Sequence, residues 1–276
     1  MILHDKIEEY KGAIIQHGPY NDRIYLMKVV SPSKELAHEL ISLAKLKKYS
    51  KIFAKVPENM SKSFLDAGFS VEAKIPSFFF GKESAFFLGF YTNKKRYEEK
   101  NVSKIDEVLS IALKQKEISP NNDDHYLLRK CTEKDIHSMA NIYKKVFSSY
   151  PFPIFDPDYL LKTMKSHVDY FAIEAENGLV AVSSAEIDHK ALNAEMTDFA
   201  VIPEWRGHNF AFKLLVKMEN EVKRKGIKTT YTIARAISHG INITFARAGY
   251  KFAGRLRNNT NIAGQIESMN VWYKNL

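Results

Sequence analysis

Apolar positions along the chain switch between the two-residue period of a strand and the three-to-four-residue period of a helix, and the switches mark out its elements. Ala13 to Ile15 and Ile24 to Val30 flank Gly18-Pro19-Tyr20-Asn21-Asp22, a run of turn formers, so the first segment predicts a hairpin. Leu36, Leu40, Leu43 and Ala44 then recur at helical spacing. Ile52 to Val56 predicts a short strand, and Ser63 to Ala67 a short helix ending at Gly68. Two apolar and aromatic runs, Val71 to Phe80 and Ala85 to Tyr91, complete a small α/β unit over residues 1–92.

Residues 93–124 turn charged, and Val102, Ile105, Val108, Leu109, Ala112 and Leu113 form the stripe of a connecting helix. Ser103 and Asp106 have the spacing of a capping box, and Ser119-Pro120-Asn121-Asn122-Asp123-Asp124 reads as a linker at a domain boundary. The third part, 125–276, opens with a strand at Tyr126 to Lys130. A helix follows, capped by Thr132 with Glu133 and Asp135 in its first turn, carrying Ile136, Met139, Ala140, Tyr143 and Phe147 on one face. Strands at Tyr170 to Ala175 and Leu179 to Ile187 meet at the turn Glu176-Asn177-Gly178. Ala194 to Ile202 predicts a strand, Pro203 and Gly207 bracket a sharp loop, and Phe210, Ala211, Leu214, Leu215, Met218 and Val222 trace one face of a long helix. The predicted class is α/β (α+β), a mixed twisted sheet flanked by helices. Phe64-Leu65-Asp66-Ala67-Gly68-Phe69 is echoed by Phe245-Ala246-Arg247-Ala248-Gly249-Tyr250, each after a strand, helix and strand. That order points to a duplicated half-domain, although Ala-Gly-aromatic is also a common helix end.

Composition narrows the picture. At 276 residues with 45% hydrophobic content the chain has an ordinary core and room for two modest domains. No apolar run approaches the roughly 20 residues of a membrane span, and Met1 to Tyr10 lacks a secretory signal's apolar core, so a cytoplasmic protein with no membrane partner is expected. The single cysteine, Cys131, has no partner at ligand spacing and is expected in the core, with no metal site. A formal charge of +9 suits an anionic partner, whether nucleic acid, phosphorylated cofactor or acidic membrane. The basic groups Lys45, Lys47, Lys48 and Lys223, Arg224, Lys225 fall where helices should end, which fits solvated helix faces better than a nucleic-acid track. No zinc finger, helix-turn-helix or RNA-binding strand signature appears, and no nucleic-acid partner is expected.

The strand ending at Val201-Ile202-Pro203, followed by Glu204-Trp205-Arg206-Gly207-His208-Asn209-Phe210-Ala211 and an amphipathic helix, points free backbone amides at one spot, where the helix dipole favours an anion such as a pyrophosphate. On physics alone an ordinary strand-loop-helix connection remains equally open. The spelling resembles the acyl-CoA loop of the GCN5-related N-acetyltransferase superfamily, Arg or Gln, two residues, Gly, one residue, Gly or Ala. Arg206 and Ala211 fit, whereas Asn209 replaces the middle glycine; Asn tolerates the left-handed conformation that the turn needs. The resemblance runs from Tyr126 to Tyr273 and implies an acetyltransferase domain there, with a smaller, degenerate version of the same fold in the amino-terminal unit.

The resemblance also implies acetyl-CoA as co-substrate. It assigns backbone groups of Phe199, Ala200 and Val201 to the pantetheine arm, the amides of Arg206, Gly207, His208, Asn209, Phe210 and Ala211 to the pyrophosphate, and adds Asn242 and Phe245 to the cofactor-binding set. An alkyl ammonium with a pKa of about 10.4 needs a base before it can attack. Glu195 holds the place of the family's base glutamate. Asp198 should point to the opposite face of a regular strand, so that only one of the two faces the substrate. Phe245 stands where the family often has an acidic tyrosine, leaving water, Tyr143 or Tyr231 to protonate the thiolate and an amide near Ala200 to meet oxyanion charge.

Further strings, Asn21-Asp22-Arg23-Ile24-Tyr25-Leu26-Met27-Lys28, Ile75-Pro76-Ser77-Phe78-Phe79, Asn258-Asn259-Thr260-Asn261-Ile262 and Glu267-Ser268-Met269-Asn270-Val271-Trp272, resemble the β-lysine N-acetyltransferase branch. That implies a small-molecule diamino acid as acceptor. Glu186, Asp188, Asp198 and Glu267 are available for its spare ammonium, and Arg255, Arg257, Asn258, Asn259 and Asn261 for its carboxylate. Other amines (a diamine, lysine, an aminoglycoside or a protein tail) and a non-catalytic acyl-CoA-binding or nucleic-acid-binding module are the alternatives. The amino-terminal unit pairs either with the rest of the chain or with a second copy, so a homodimer stays open.

Overall fold

The structure, a computed structural model, describes residues 4–119, 126–176 and 178–276. Three strands open the chain, β1 (Lys6–Tyr10), β2 (Ala13–Gly18) and β3 (Arg23–Val29), each antiparallel to the next. The turn formers close β2 onto β3 as expected. The polar and mostly exposed β1 gave no apolar alternation to read. Helix α1 (Leu36–Lys47) carries the chain to β4 (Lys51–Pro57), which pairs parallel with β3. Helix α2 (Glu58–Asp66) leads to β5 (Ser70–Phe79), and β6 (Glu83–Tyr91) then inserts between β4 and β5.

Helices α3 (Lys94–Tyr97) and α4 (Val102–Leu113) make the connection. The expected Ser103 and Asp106 box does not form: Asn101, left-handed at φ 57°, starts α4 with no side-chain cap. Asp106 instead accepts a 2.6 Å bond from Arg255. Of the proposed linker, Pro120 to Asp124 lie outside the described residues, as does Asn177 of the later turn.

After β7 (Leu127–Lys130), Thr132 and Asp135 form a reciprocal capping box over a 3-10 turn, and α5 (Ile136–Val146) follows. Helix α6 (Pro157–Met164) was not anticipated, although Asp156 caps it and Pro157 starts it, the expected start signal for a helix. Strands β8 (Val168–Ala175), β9 (Gly178–Asp188) and β10 (Asn193–Val201) run antiparallel in sequence order. A 3-10 turn at Pro203–Trp205 precedes α7 (Phe210–Arg224), then come β11 (Thr229–Arg235), α8 (His239–Arg247), β12 (Lys251–Ile262) and β13 (Gln265–Asn275).

All the strands join one sheet in the order β1-β2-β3-β4-β6-β5-β12-β13-β11-β10-β9-β8-β7. Each half of that order has the same connectivity. In one, an antiparallel pair β2-β3 is followed by α1, parallel β4, α2, and a hairpin whose second strand inserts; in the other, β9-β10, α7, β11, α8 and β12-β13 do the same. The repeated sequence string sits at one topological point. Phe69 N donates to Phe64 O (3.1 Å) and Tyr250 N to Phe245 O (3.0 Å), while Gly68 and Gly249 adopt φ 97° and 81°. Only glycine takes these left-handed helix ends at no steric cost.

The two halves meet where Gly254 of β12 registers with Ala73 of β5. One hydrophobic cluster spans this junction, with Tyr25, Phe53, Phe78 and Phe87 from one side and Tyr231, Leu256, Met269 and Val271 from the other. The sheet curls around it until Lys28 of β3 lies 2.8 Å from Asp188 at the end of β9. The expected basic clusters lie in the last turns or at the ends of α1 and α7, and Cys131 is buried in the core, its thiol pushed up to about 12 by burial. Among the described residues no helix is long and apolar enough to cross a membrane.

Candidate active site

The curl encloses a cleft of about 1550 Å³, walled by β10, β11 and the starts of α7 and α8 on one side and by β3 and β4 on the other. What opens it is a fault in β10. Its register against β9 shifts between Thr197 and Ala200, and Asp198 sits in the left-handed region at φ 55°. Against β11 the parallel pairing covers only Asn193 to Glu195. Beyond Glu195 the two strands diverge, and the edge of β10 carrying Phe199 and Val201 faces the cleft instead of a strand.

This bulge corrects the expectation for Asp198. In a regular strand, residues three apart lie on opposite faces. The extra residue of the bulge reverses that parity, so Glu195, Thr197 and Asp198 all line the cleft.

The strand delivers the chain into the loop before α7. Asn209 occupies φ 60°, ψ 24°, the left-handed geometry its side chain tolerates, and Gly207 takes φ 89°. Asn209 makes no side-chain cap, and the first helical bond runs from Lys213 N to Asn209 O (3.1 Å). The amides of Phe210, Ala211 and Phe212 precede that bond, so they stand free at the positive end of a helix. A Cβ added to Gly207 would touch nothing within 4 Å, which leaves open space in front of them. Arg206, Gly207, Asn209, Phe210 and Ala211 line the cleft; His208 does not, its ring turned back to the Trp205 carbonyl (3.2 Å). The donor set and the open space fit a pyrophosphate.

Deeper in, three carboxyl groups cluster, and two of them, Glu195 and Glu186, act on one ammonium. Lys55 of β4 donates to the Tyr231 hydroxyl at 3.2 Å, and Tyr231 is in hydrogen-bond contact with Glu195. Burial raises the Glu195 carboxyl above its usual range, while Lys55 and Tyr231 partly offset it. Glu186 is raised as well, by burial and then by the charges of Glu195 and Asp198. Asp198 is raised by burial against the pull of its hydroxyl partners: Ser184 donates to it at 2.5 Å and Tyr150 at 2.6 Å. Burial lowers Lys55, but Tyr25, Glu195 and Glu186 outweigh it and leave the ammonium above its ordinary value. The result is a carboxyl-rich pocket in a protein whose net charge is +9.

Other expected residues lie elsewhere. Asn242 is fully buried, donating to the Arg235 and Ser238 carbonyls and accepting from Asn270 and Trp272, so its side chain braces β11 and β13 and does not line the cleft. Phe245 is buried edge-on against Phe199 (5.6 Å), and Ala200 is buried in register with Val182. Tyr143 is buried outside the cleft, which leaves Tyr231 as the one of the two proposed hydroxyls that borders it. Glu267 is held by Arg235 in a two-point ion pair, Arg255 by Asp106, and Arg257 stacks on Tyr97. Of the asparagines, Asn258 donates to the Arg96 and Glu98 carbonyls and Asn261 to that of Tyr20; only Asn259 lines the cleft.

The model of the acetyltransferase (GNAT) family matches residues 136–250, which run from the start of α5 to the end of the second repeat string. A β-lysine N(6)-acetyltransferase of Methanococcus maripaludis is 40% identical over 272 residues, covering 98% of each chain. The chain belongs to the GNAT acetyltransferase family. A second β-lysine N(6)-acetyltransferase, from Methanosarcina mazei, is 32% identical over 91% of this chain and 100% of its own, and the N-acetyltransferase YodP of Bacillus subtilis is 28% identical over 96% of each. As a GNAT enzyme the protein is an acetyl-CoA-dependent N-acetyltransferase.

For this GNAT enzyme the residues that sequence reasoning left out of the site are those of the opposite wall: Arg23, Tyr25 and Lys55. Their alternation along β3 and β4 marks one strand face, but no local pattern says what that face meets.

Proposed function

We propose that the protein transfers the acetyl group of acetyl-CoA to the ε-amine of β-lysine, (3S)-3,6-diaminohexanoate, giving Nε-acetyl-β-lysine, a compatible solute, in the cytoplasm. The observation that carries this reading is the placement of a half-buried Glu195, its pKa raised by desolvation, at the point where β10 leaves β11, between a free helix N-terminus and a carboxylate-rich pocket. Two relatives named as β-lysine N(6)-acetyltransferases, matched along nearly their whole lengths, support the choice of acceptor. In this reading residues 125–276 form the acetyltransferase domain, 93–124 connect, and 1–92 close the acceptor side.

Of the loop from Arg206 to Ala211, the amides of Phe210 and Ala211, joined by that of Phe212, hold the pyrophosphate, the Arg206 amide being taken by the Pro203 carbonyl (3.2 Å), and the free edge of β10 at Phe199 to Val201 holds the pantetheine arm. The thioester supplies an activated acetyl group. Glu195 takes the proton from the attacking ammonium; burial, by raising its pKa, makes it a stronger base than an ordinary carboxylate. Glu186 and Asp198 attract the cationic acceptor, and Asn259 supplies a polar contact. Asn258 and Asn261, proposed from sequence for the same task, act from behind by fixing the bulged stretch of β12 that presents Asn259. The nitrogen loses two protons on its way from ammonium to amide: Glu195 takes the first, freeing the lone pair, and the second leaves once the C–N bond has formed and the C–S bond breaks. With Phe245 lacking a hydroxyl, the departing thiolate takes its proton from water or Tyr231, so the thiol gains one proton and one is released to solvent.

Incubation with acetyl-CoA and β-lysine, α-lysine, spermidine or a lysine peptide, followed by free-thiol release, tests the reading. β-Lysine should be used with the highest kcat/KM, and Glu195→Gln should lower kcat at least about tenfold with acetyl-CoA affinity little changed. A fully active Glu195→Gln protein would remove the base assignment.

A further inference from the structure

The wall facing Glu195 contains a buried cation with no anion beside it. Arg23, on β3, is 3% exposed and lines the cleft. Its Nη1 donates to the Asn259 carbonyl and to Thr260 Oγ1, while its Nε has no partner at all. No carboxylate pairs with it among the described residues; Asp5, the acid whose field reaches it, is taken up by the amides of Tyr20 and Asn21 and by the Asn21 side chain. A guanidinium offers five donors in a planar fork shaped for a carboxylate. Leaving one buried without its anion is costly, and such a group is retained where a ligand completes it.

A second orphan lies next to it. The side-chain Oδ1 of Asn259, another cleft residue, is buried and accepts no hydrogen bond. A donor fork and a free carbonyl-type acceptor side by side match an amino acid's carboxylate and its neighbouring ammonium. The guanidinium carbon lies 5.4 Å from the Tyr25 ring centre and 5.9 Å from that of Phe53. Tyr25 stacks on Phe53 at 4.6 Å, and beyond them stand Lys55, Tyr231 and Glu195. One polar end of the cleft is thus joined to the reacting end by an aromatic wall that suits a methylene chain.

We propose that Arg23 and Asn259 form the subsite for the amino-acid end of the acceptor, Arg23 taking its carboxylate and Asn259 Oδ1 its nearby ammonium, so that the amino-terminal half selects diamino acids over polyamines. This rests on the diamino-acid reading above and extends it to the half of the chain outside the family match. Arg23 also bonds the bulged stretch of β12 that holds Asn259, so one side chain both binds the acceptor and ties the halves together across it.

The test compares kcat/KM for β-lysine and for its C1 carboxamide, which keeps both amines and the chain length but has no negative charge. The wild type should prefer the acid by at least about thirty-fold, the range for removing one partner of a buried charged pair. Arg23→Met should bring the two substrates to within about threefold of each other, with the acetyl-CoA KM unchanged, and Arg23→Lys should recover part of the preference. A wild type that uses acid and amide equally overturns the proposal with no variant needed, so a misfolded Arg23→Met does not shelter it. Preference retained in a folded Arg23→Met protein overturns the Arg23 assignment and leaves the β-lysine reading intact. Failure of the wild type to acetylate any diamino acid, while it turns over spermidine or the peptide, rejects that reading and this one together.

Discussion

Glu186 is the residue whose stability cost is easiest to expose. Burial and the charges of Glu195 and Asp198 raise its pKa in the folded state above that of the unfolded chain. Below the unfolded value, about 4.3, both states are protonated and no penalty exists. As pH rises the unfolded chain releases the proton first, so stability falls until the folded pKa is passed. Glu186→Gln should therefore raise the melting temperature by about 2 °C or more at pH 8 and by clearly less at pH 5. Calorimetry at the two pH values checks this, and an equal gain at both would mean that the charge is not what costs stability. The same repulsion draws in a cationic acceptor. It also shows why single residues are only partly legible: the family resemblance of the strand offers Glu195 as a base, but the face of Asp198 cannot be read from the chain, because a bulge is a property of the β10 and β9 pair.

The loop and helix after β10 form a unit whose geometry depends on two backbone positions. Asn209 at φ 60° replaces a glycine, and a β-branched residue there would pay about 1–2 kcal/mol for the left-handed conformation. Asn209→Val should raise the acetyl-CoA KM about tenfold and leave the acceptor KM alone, whereas Asn209→Gly should bind as well as the wild type or better. Titration of coenzyme A into each variant measures it; equal affinity for the Val protein would detach this turn from cofactor capture. This element was readable from the chain because turn formers, apolar period and helix start act over a few residues. Helix α6 carries comparable signals in Asp156 and Pro157, while the spacing of Ser103 and Asp106 suggests a box that Arg255, from the far end of the chain, replaces with an ion pair.

Both halves depend on one close backbone approach. Gly254 takes φ 148°, and a Cβ there would lie 2.1 Å from the Glu72 carbonyl and 2.7 Å from Ala73 Cα, both main-chain atoms that cannot swing away. Gly254→Ala should cost at least about 2 kcal/mol and loosen the junction. Chemical denaturation should then show β-lysine turnover lost before the helical signal; a variant with wild-type stability and activity would show that β5 and β12 need not touch. Along the chain itself, period and turn chemistry determined most of the succession of strands and helices, the repeat at Gly68 and Gly249, and the turn between β10 and α7, since each is settled by neighbours a few bonds away. The acceptor cleft belongs to the folded molecule alone. Lys55 reaches Glu195, and Arg23 enters the same cleft, because a shared aromatic core and the β5 to β12 join curl the sheet, and contacts between residues so distant in sequence leave no trace in local spacing.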